Sequence, residues 1–167
     1  MFKVGIIGPE STGKSTLAQQ LAQRYKGICV PEYAREYVER LGRDYTYDDV
    51  CAIARRQIEQ LKTYADNTGN GVVFFDTDLI ITRVWFDYCY GSTPNYVLEA
   101  MQQYKQDVYL LLYPDIPWVE DPVRENGGEA VRLELFHRYE QEIKKICVPY
   151  YIIRHTTDGG ISATPMA

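Results

Sequence analysis

The run Gly8 to Thr16, GPESTGKST, separates two glycines by four residues and follows the second with a lysine and two hydroxyls. The pattern Gly8-x-x-x-x-Gly13-Lys14-Ser15 fits the P-loop motif, whose chemistry is anion binding. Glycines let the backbone fold tightly enough for successive N–H groups to point at one phosphate. The lysine ammonium reaches the outer phosphates, and the serine hydroxyl is placed to ligate Mg²⁺. Glu10, Ser11, Thr12, Gly13, Lys14, Ser15 and Thr16 are therefore expected, with Gly8, to wrap the phosphates of ATP. The competing reading is a glycine-rich turn with a solvated lysine.

Several acids and arginines have types that suit phosphate transfer. Asp76 closes the apolar run VVFFD, where a carboxylate can serve a Mg²⁺ site beside Ser15. Asp76 and Asp78 also read as caps for the helix that follows, and Asp78 is assigned to the substrate side of the same strand end. Glu32, after the short run ICVP, could accept a proton from an attacking hydroxyl or stabilise a helix dipole. Arg124 and Arg132 flank the pair Gly127–Gly128. They fit a lid that closes over the transferred phosphate, or two surface arginines paired with Glu125 and Glu129.

These residues need a scaffold, and the hydrophobic periodicity supplies one. Strands are expected at Phe2–Ile7, Ile28–Val30, Val72–Phe75, Val108–Leu112 and Tyr150–Ile153. Helices are expected at Lys14–Tyr25, Tyr33–Leu41, from Thr46 to about Ala65, and at Leu79–Tyr90, Tyr96–Tyr104 and Ala130–Ile146. Gly27 is expected to stop the first of them. The alternation implies an α/β fold: a three-layer P-loop NTPase with a five-stranded parallel sheet and a lid loop after strand four. Residues 1–155 would form this domain, with the lid at about 114–132, and 156–167 an irregular tail. In such a sheet the strand ends after Glu32 and Asp76 open on the same crevice as the P-loop.

Composition narrows the partners. The apolar share is 46% and the net charge is -5, with no basic run, so a nucleic-acid backbone is not an expected partner. No window suggests a membrane span or a signal peptide, and a cytoplasmic protein is expected. Cys29, Cys51, Cys89 and Cys147 are widely spaced and expected reduced. His137 is expected on a helix surface and His155 in the tail, neither with a metal-like partner. No N-K-x-D segment follows the fourth strand to read guanine, which disfavours a GTP switch.

The stretches GPESTGKSTLAQQLA, PEYAREYV, FFDTDLIITRVW and YPDIPWVEDPVRENG together resemble the ribosylnicotinamide kinase domain of NadR-type proteins, over about residues 2–153. The P-loop alone is generic; the other three motifs discriminate. The resemblance implies transfer of the ATP γ-phosphate to the 5′-hydroxyl of nicotinamide riboside, with Mg²⁺ as cofactor. It implies Glu32 as base or ribose contact, Asp76 as magnesium-site acid, and Arg124 and Arg132 as lid arginines. It further implies Arg35 near a phosphate or the ribose, and Gln57 as a partner for the carboxamide. A kinase for another nucleoside or nucleotide is the nearest alternative, and a non-catalytic nucleotide-binding switch a more distant one. The chain begins at the first kinase strand, so the nucleotidyltransferase and DNA-binding activities of longer relatives are not expected. The family also continues with a helix after strand five, which RHTTDGGISATPMA does not resemble. The nicotinamide ring of the riboside is a cation and asks for aromatic faces; Tyr33, Trp85, Tyr88 and Trp118 fall near predicted strand ends and are its candidates.

Overall fold

In the computed structural model, residues 1–65, 69–118 and 128–166 are described. Six strands lie in the order β2-β3-β1-β4-β5-β6. They are β1 (Phe2–Ile7), β2 (Ile28–Val30), β3 (Val72–Asp76), β4 (Val108–Leu112), β5 (Tyr150–His155) and β6 (Ile161–Met166). The first five pair in parallel, as the alternation of strands and helices requires.

Period-two alternation divides the strands between two faces. Val4, Ile6, Phe74, Leu112 and Ile153 turn toward α1 (Lys14–Tyr25) and pack with its Leu17, Ala18 and Ala22. Ile7, Val73, Phe75 and Leu111 turn the other way into a larger core. That core is shared with α3 (Tyr47–Ala65), α4 (Leu79–Tyr90), α5 (Asn95–Gln103) and α6 (Glu129–Ile146). The remaining helix, α2 (Tyr33–Leu41), follows β2 directly.

Two expectations need correction. The sheet has six strands, not five, and the tail is not irregular: β6 folds back antiparallel on β5, with His155 opposite Ile161 and Tyr150 opposite Met166. A hairpin turn closed by Thr156 N–H donating to the Gly160 carbonyl at 2.9 Å joins them. β6 is almost wholly exposed, so it carries no alternating apolar pattern, and its formation rests on backbone pairing with β5. The stop of α1 also differs. Lys26 takes the left-handed conformation (φ 51°). Gly27 is needed for a different reason, because a Cβ there would lie 2.6 Å from the Val72 carbonyl oxygen.

Candidate active site

The P-loop leaves the end of β1 and enters α1 as expected. Gly8 sits where a Cβ would meet the Leu112 carbonyl oxygen at 2.8 Å, so β4 can run close beside the loop. Gly13 caps α1 in the left-handed region (φ 81°), aiming the free amides of the first turn into the loop. Ser11 is also left-handed (φ 54°), a cost that clusters at ligand-holding loops. Lys14 Nζ and Thr12 Oγ1 both donate to the Pro9 carbonyl, each at 2.9 Å. The lysine thus lies along the loop it serves.

Arg132 secures this loop from outside. Its Nε donates to the Glu10 carbonyl at 3.1 Å, and its Nη2 donates to the carbonyls of Ser11 (3.3 Å) and Ile116 (3.0 Å). The side chain is buried, which removes the reading as a surface arginine. Arg124 lies outside the described residues.

A cavity of about 300 Å³ opens from the P-loop toward the β2–β3 side of the sheet. Lys14, Ser15 and Thr16 form one end. Glu32 and Arg35 line it from the start of α2, and Trp85, Tyr88 and Cys89 from α4. Tyr45 stands edge-on to Trp85, ring centroids 4.8 Å apart at 81°. Tyr139, on α6, completes the wall near the acids. Burial raises the Glu32 carboxyl above its ordinary pKa; Lys14 opposes this and Asp76 reinforces it. Burial likewise keeps the Tyr139 phenol protonated, and the negative potential of Glu10 and Glu32 adds to the effect.

The Asp76–Thr77–Asp78 segment divides its labour. Asp76 is buried beside the Ser15 hydroxyl, and its pKa is raised chiefly by burial, with Ser15 opposing. Its Oδ1 has no hydrogen-bond partner among the described residues. Thr77 is left-handed (φ 75°) and lines the cavity. Asp78 turns inward: it caps α4 by accepting from Ile80 N–H at 2.9 Å and accepts from the Tyr109 hydroxyl at 2.6 Å. Its pKa is raised by burial, with Tyr109 opposing.

A family described as an AAA domain matches residues 3–159. The chain belongs to that family. Two curated relatives, both trifunctional NAD biosynthesis/regulator proteins NadR, are 34% identical to it. The Escherichia coli K12 protein matches over 135 residues, 78% of this chain and 33% of its own length. The Salmonella typhimurium LT2 protein matches over 133 residues, 77% and 32%. The chain therefore spans about a third of the length of the curated relatives it matches. Among solved structures, a NadR protein in complex with NR is similar with a TM-score of 0.73 at 24% identity, covering 90% of this chain and 43% of that one. Deoxyadenosine kinase from M. mycoides with bound dATP gives 0.59 at 16% identity, covering 91% and 90%. These likenesses establish the fold of this AAA-family chain as that of the P-loop kinases.

Of the expected site residues, the fold brings the P-loop, Glu32, Arg35 and Trp85 to one cavity, with Asp76 directly behind Ser15. Tyr33, Gln57, Asp78 and Trp118 do not line it. Helix geometry explains Tyr33: Ala34, Arg35 and Val38 share the cavity face of α2, whereas Tyr33, Tyr37 and Arg40 line a separate groove. Gln57 is one layer back, its Oε1 accepting from the Thr82 hydroxyl at 2.5 Å, and Thr82 is the residue that faces the cavity. The sequence reading passed over Tyr45, Cys89, Leu135 and Tyr139. The four-residue spacings Ile81–Trp85–Cys89 and Leu135–Tyr139 were visible signals of common helix faces. Tyr45 sits in a loop and carried none.

Proposed function

We propose that this chain is an ATP-dependent kinase that phosphorylates the 5′-hydroxyl of nicotinamide riboside to give nicotinamide mononucleotide. The observation that carries the reading is that one cavity has the P-loop lysine and a carboxylate, Glu32, at its phosphate end and an aromatic wall at the other. The aromatic faces of Tyr45, Trp85 and Tyr88 suit a cationic pyridinium ring, and no arginine of α4 lines the cavity against it. The 34% identity to NadR proteins, whose name states a role in NAD biosynthesis, supports the same substrate.

In this reading the P-loop amides grip the β- and γ-phosphates of ATP, and Lys14 moves its ammonium from the Pro9 carbonyl onto them. The riboside enters from the α2–α4 side. Glu32 accepts the proton of the 5′-hydroxyl as its oxygen bonds to the γ-phosphorus, and the bond from that phosphorus to the bridging oxygen of ADP breaks in line. Arg35 lines the same end and suits a contact to the transferred phosphate or the ribose. Ser15 and Asp76 fit Mg²⁺: two hard oxygen donors stand side by side, with one buried carboxylate oxygen lacking a protein partner among the described residues. When bound, the metal neutralises charge on the bridging phosphate oxygens. Gln57, through Thr82, is a support for the wall, and Asp78 a support for α4.

An ATP-consumption assay over a nucleoside panel tests the reading. Turnover with nicotinamide riboside well above that with deoxyadenosine, deoxycytidine and uridine is expected. Turnover with one of those nucleosides and none with the riboside would replace the substrate.

A further inference from the structure

We infer that Tyr139 is a specificity-determining residue: its hydroxyl donates a hydrogen bond to a secondary hydroxyl of the acceptor's sugar and so selects ribosides over deoxyribosides. The inference rests on the kinase reading and goes beyond it, because that reading assigns the hydroxyl that is phosphorylated but not how the rest of the sugar is recognised.

Three observations carry it. First, three tyrosines are buried among the described residues: Tyr109, Tyr139 and Tyr150. Two of them have carboxylate partners, the Tyr109 hydroxyl donating to Asp78 at 2.6 Å and the Tyr150 hydroxyl to Glu140 at 2.8 Å. Tyr139 is 5% exposed and lines the acceptor cavity, and its hydroxyl bonds to no described residue. A buried phenol finds a partner as a rule, so this one is left for a group that the protein does not supply. Secondly, α6 sets its place. Arg132, Leu135 and Tyr139 follow at three- and four-residue spacing on one face of the helix. Arg132 holds the Glu10 and Ser11 carbonyls, while Leu135 and Tyr139 line the cavity. A long side chain on a helix leans toward the N-terminal turn, so the Tyr139 ring reaches back toward the P-loop. Thirdly, the surroundings select the kind of ligand. Glu10 and Glu32 line the same cavity, and after burial their charges hold the phenol protonated, so that it remains a donor at neutral pH. Neither carboxylate accepts from it. A group that both accepts and donates fits between a fixed donor and these acids, which a sugar hydroxyl does and a phosphate oxygen or a pyridinium ring does not. Glu32 faces the 5′-hydroxyl in the proposed reaction, so the sugar that carries that hydroxyl lies in the same part of the cavity.

The test compares nicotinamide riboside with its 2′-deoxy and 3′-deoxy analogues as acceptors, on the wild type and on Tyr139→Phe. The variant deletes only a hydroxyl that no protein group uses, so its melting temperature should stay within about 2 °C of the parent's. The wild type should prefer the riboside over one of the two analogues by at least about tenfold in kcat/KM, because that analogue leaves a buried donor unpaired. In Tyr139→Phe the loss should fall on the riboside, and the preference over that analogue should shrink to within about twofold. KM for ATP should change by less than about twofold. Equal kcat/KM for all three acceptors in the wild type overturns the inference without any variant. A Tyr139→Phe that loses the same factor on all three also overturns it, and assigns the hydroxyl to the transferred phosphate. So does a variant that keeps the wild-type preference. Each of these results leaves the kinase reading standing. Absence of phosphate transfer to any of the three acceptors by the wild type overturns that reading, and the inference with it.

Discussion

Nη2 of Arg132 donates to the carbonyl oxygen of Ser11 at 3.3 Å, so the first turn of α6 braces a loop 121 positions earlier in the chain. The same guanidinium holds the Glu10 carbonyl and the Ile116 carbonyl at the stem of the loop after β4. One buried cation thereby ties the phosphate cradle to the segment that leads away from it.

Replacing Arg132 should consequently damage stability as well as turnover. Arg132→Met leaves buried carbonyls without their donor, which costs about 1–3 kcal/mol. Chemical denaturation of the two proteins measures it. A variant with unchanged unfolding free energy and lost activity would assign Arg132 to the transferred phosphate alone.

Lys14 occupies the mouth of the loop, with its ammonium on the Pro9 carbonyl. Lys14→Ala removes the charge that follows the phosphates but none of the core. Turnover should fall by at least about a hundredfold, with the circular dichroism spectrum and melting temperature near those of the parent. Near-normal turnover would remove the proposed phosphate chemistry.

Glu32 has its pKa raised by burial, against the pull of Lys14. As a base it works only when ionised. Activity therefore falls as pH drops through its pKa, and that acid limb in kcat/KM should lie above the ordinary glutamate value of about 4.3. Glu32→Gln should lower kcat by roughly a hundredfold or more and abolish the limb, while riboside binding weakens less. An unaltered pH profile in the variant would exclude Glu32 as the base.

Asp49 supplies a pH dependence of stability rather than of rate. Arg43 donates to its carboxylate at 2.7 and 3.1 Å, and Thr46 N–H at 2.8 Å, closing the turn into α3. Its pKa is held well below the usual carboxylate range, chiefly by Arg43 and then by the Thr46 amide. A depressed folded-state pKa means that the stabilisation is complete above the unfolded value and is lost as pH falls toward the folded one. The stability gap between wild type and Asp49→Asn should be widest at neutral pH and shrink from about pH 4 downward. Thermal melts across that range would show a constant gap if the carboxylate does not act this way.

The P-loop, the five parallel strands and the helices between them were legible in the amino-acid sequence. Each is dictated by local chemistry: apolar alternation, glycine and lysine spacing, and capping residues such as Thr46. The chain order also determined that Glu32 just follows β2 and Asp76 ends β3, so that both meet the P-loop at the carboxyl ends of the strands. Tertiary structure alone decided which side chains face the cavity. Tyr33 and Arg35 are two positions apart, yet the turn of α2 sends them to different grooves. Asp76 and Asp78 are as close, yet the left-handed Thr77 between them turns one toward Ser15 and the other toward Tyr109. β6 was invisible for a related reason: an exposed strand held by backbone hydrogen bonds has no apolar period, and only its partner's edge selects it. The position of His155 beside Gly13 was hidden likewise, since it depends on β1, β4 and β5 being laid side by side in one sheet.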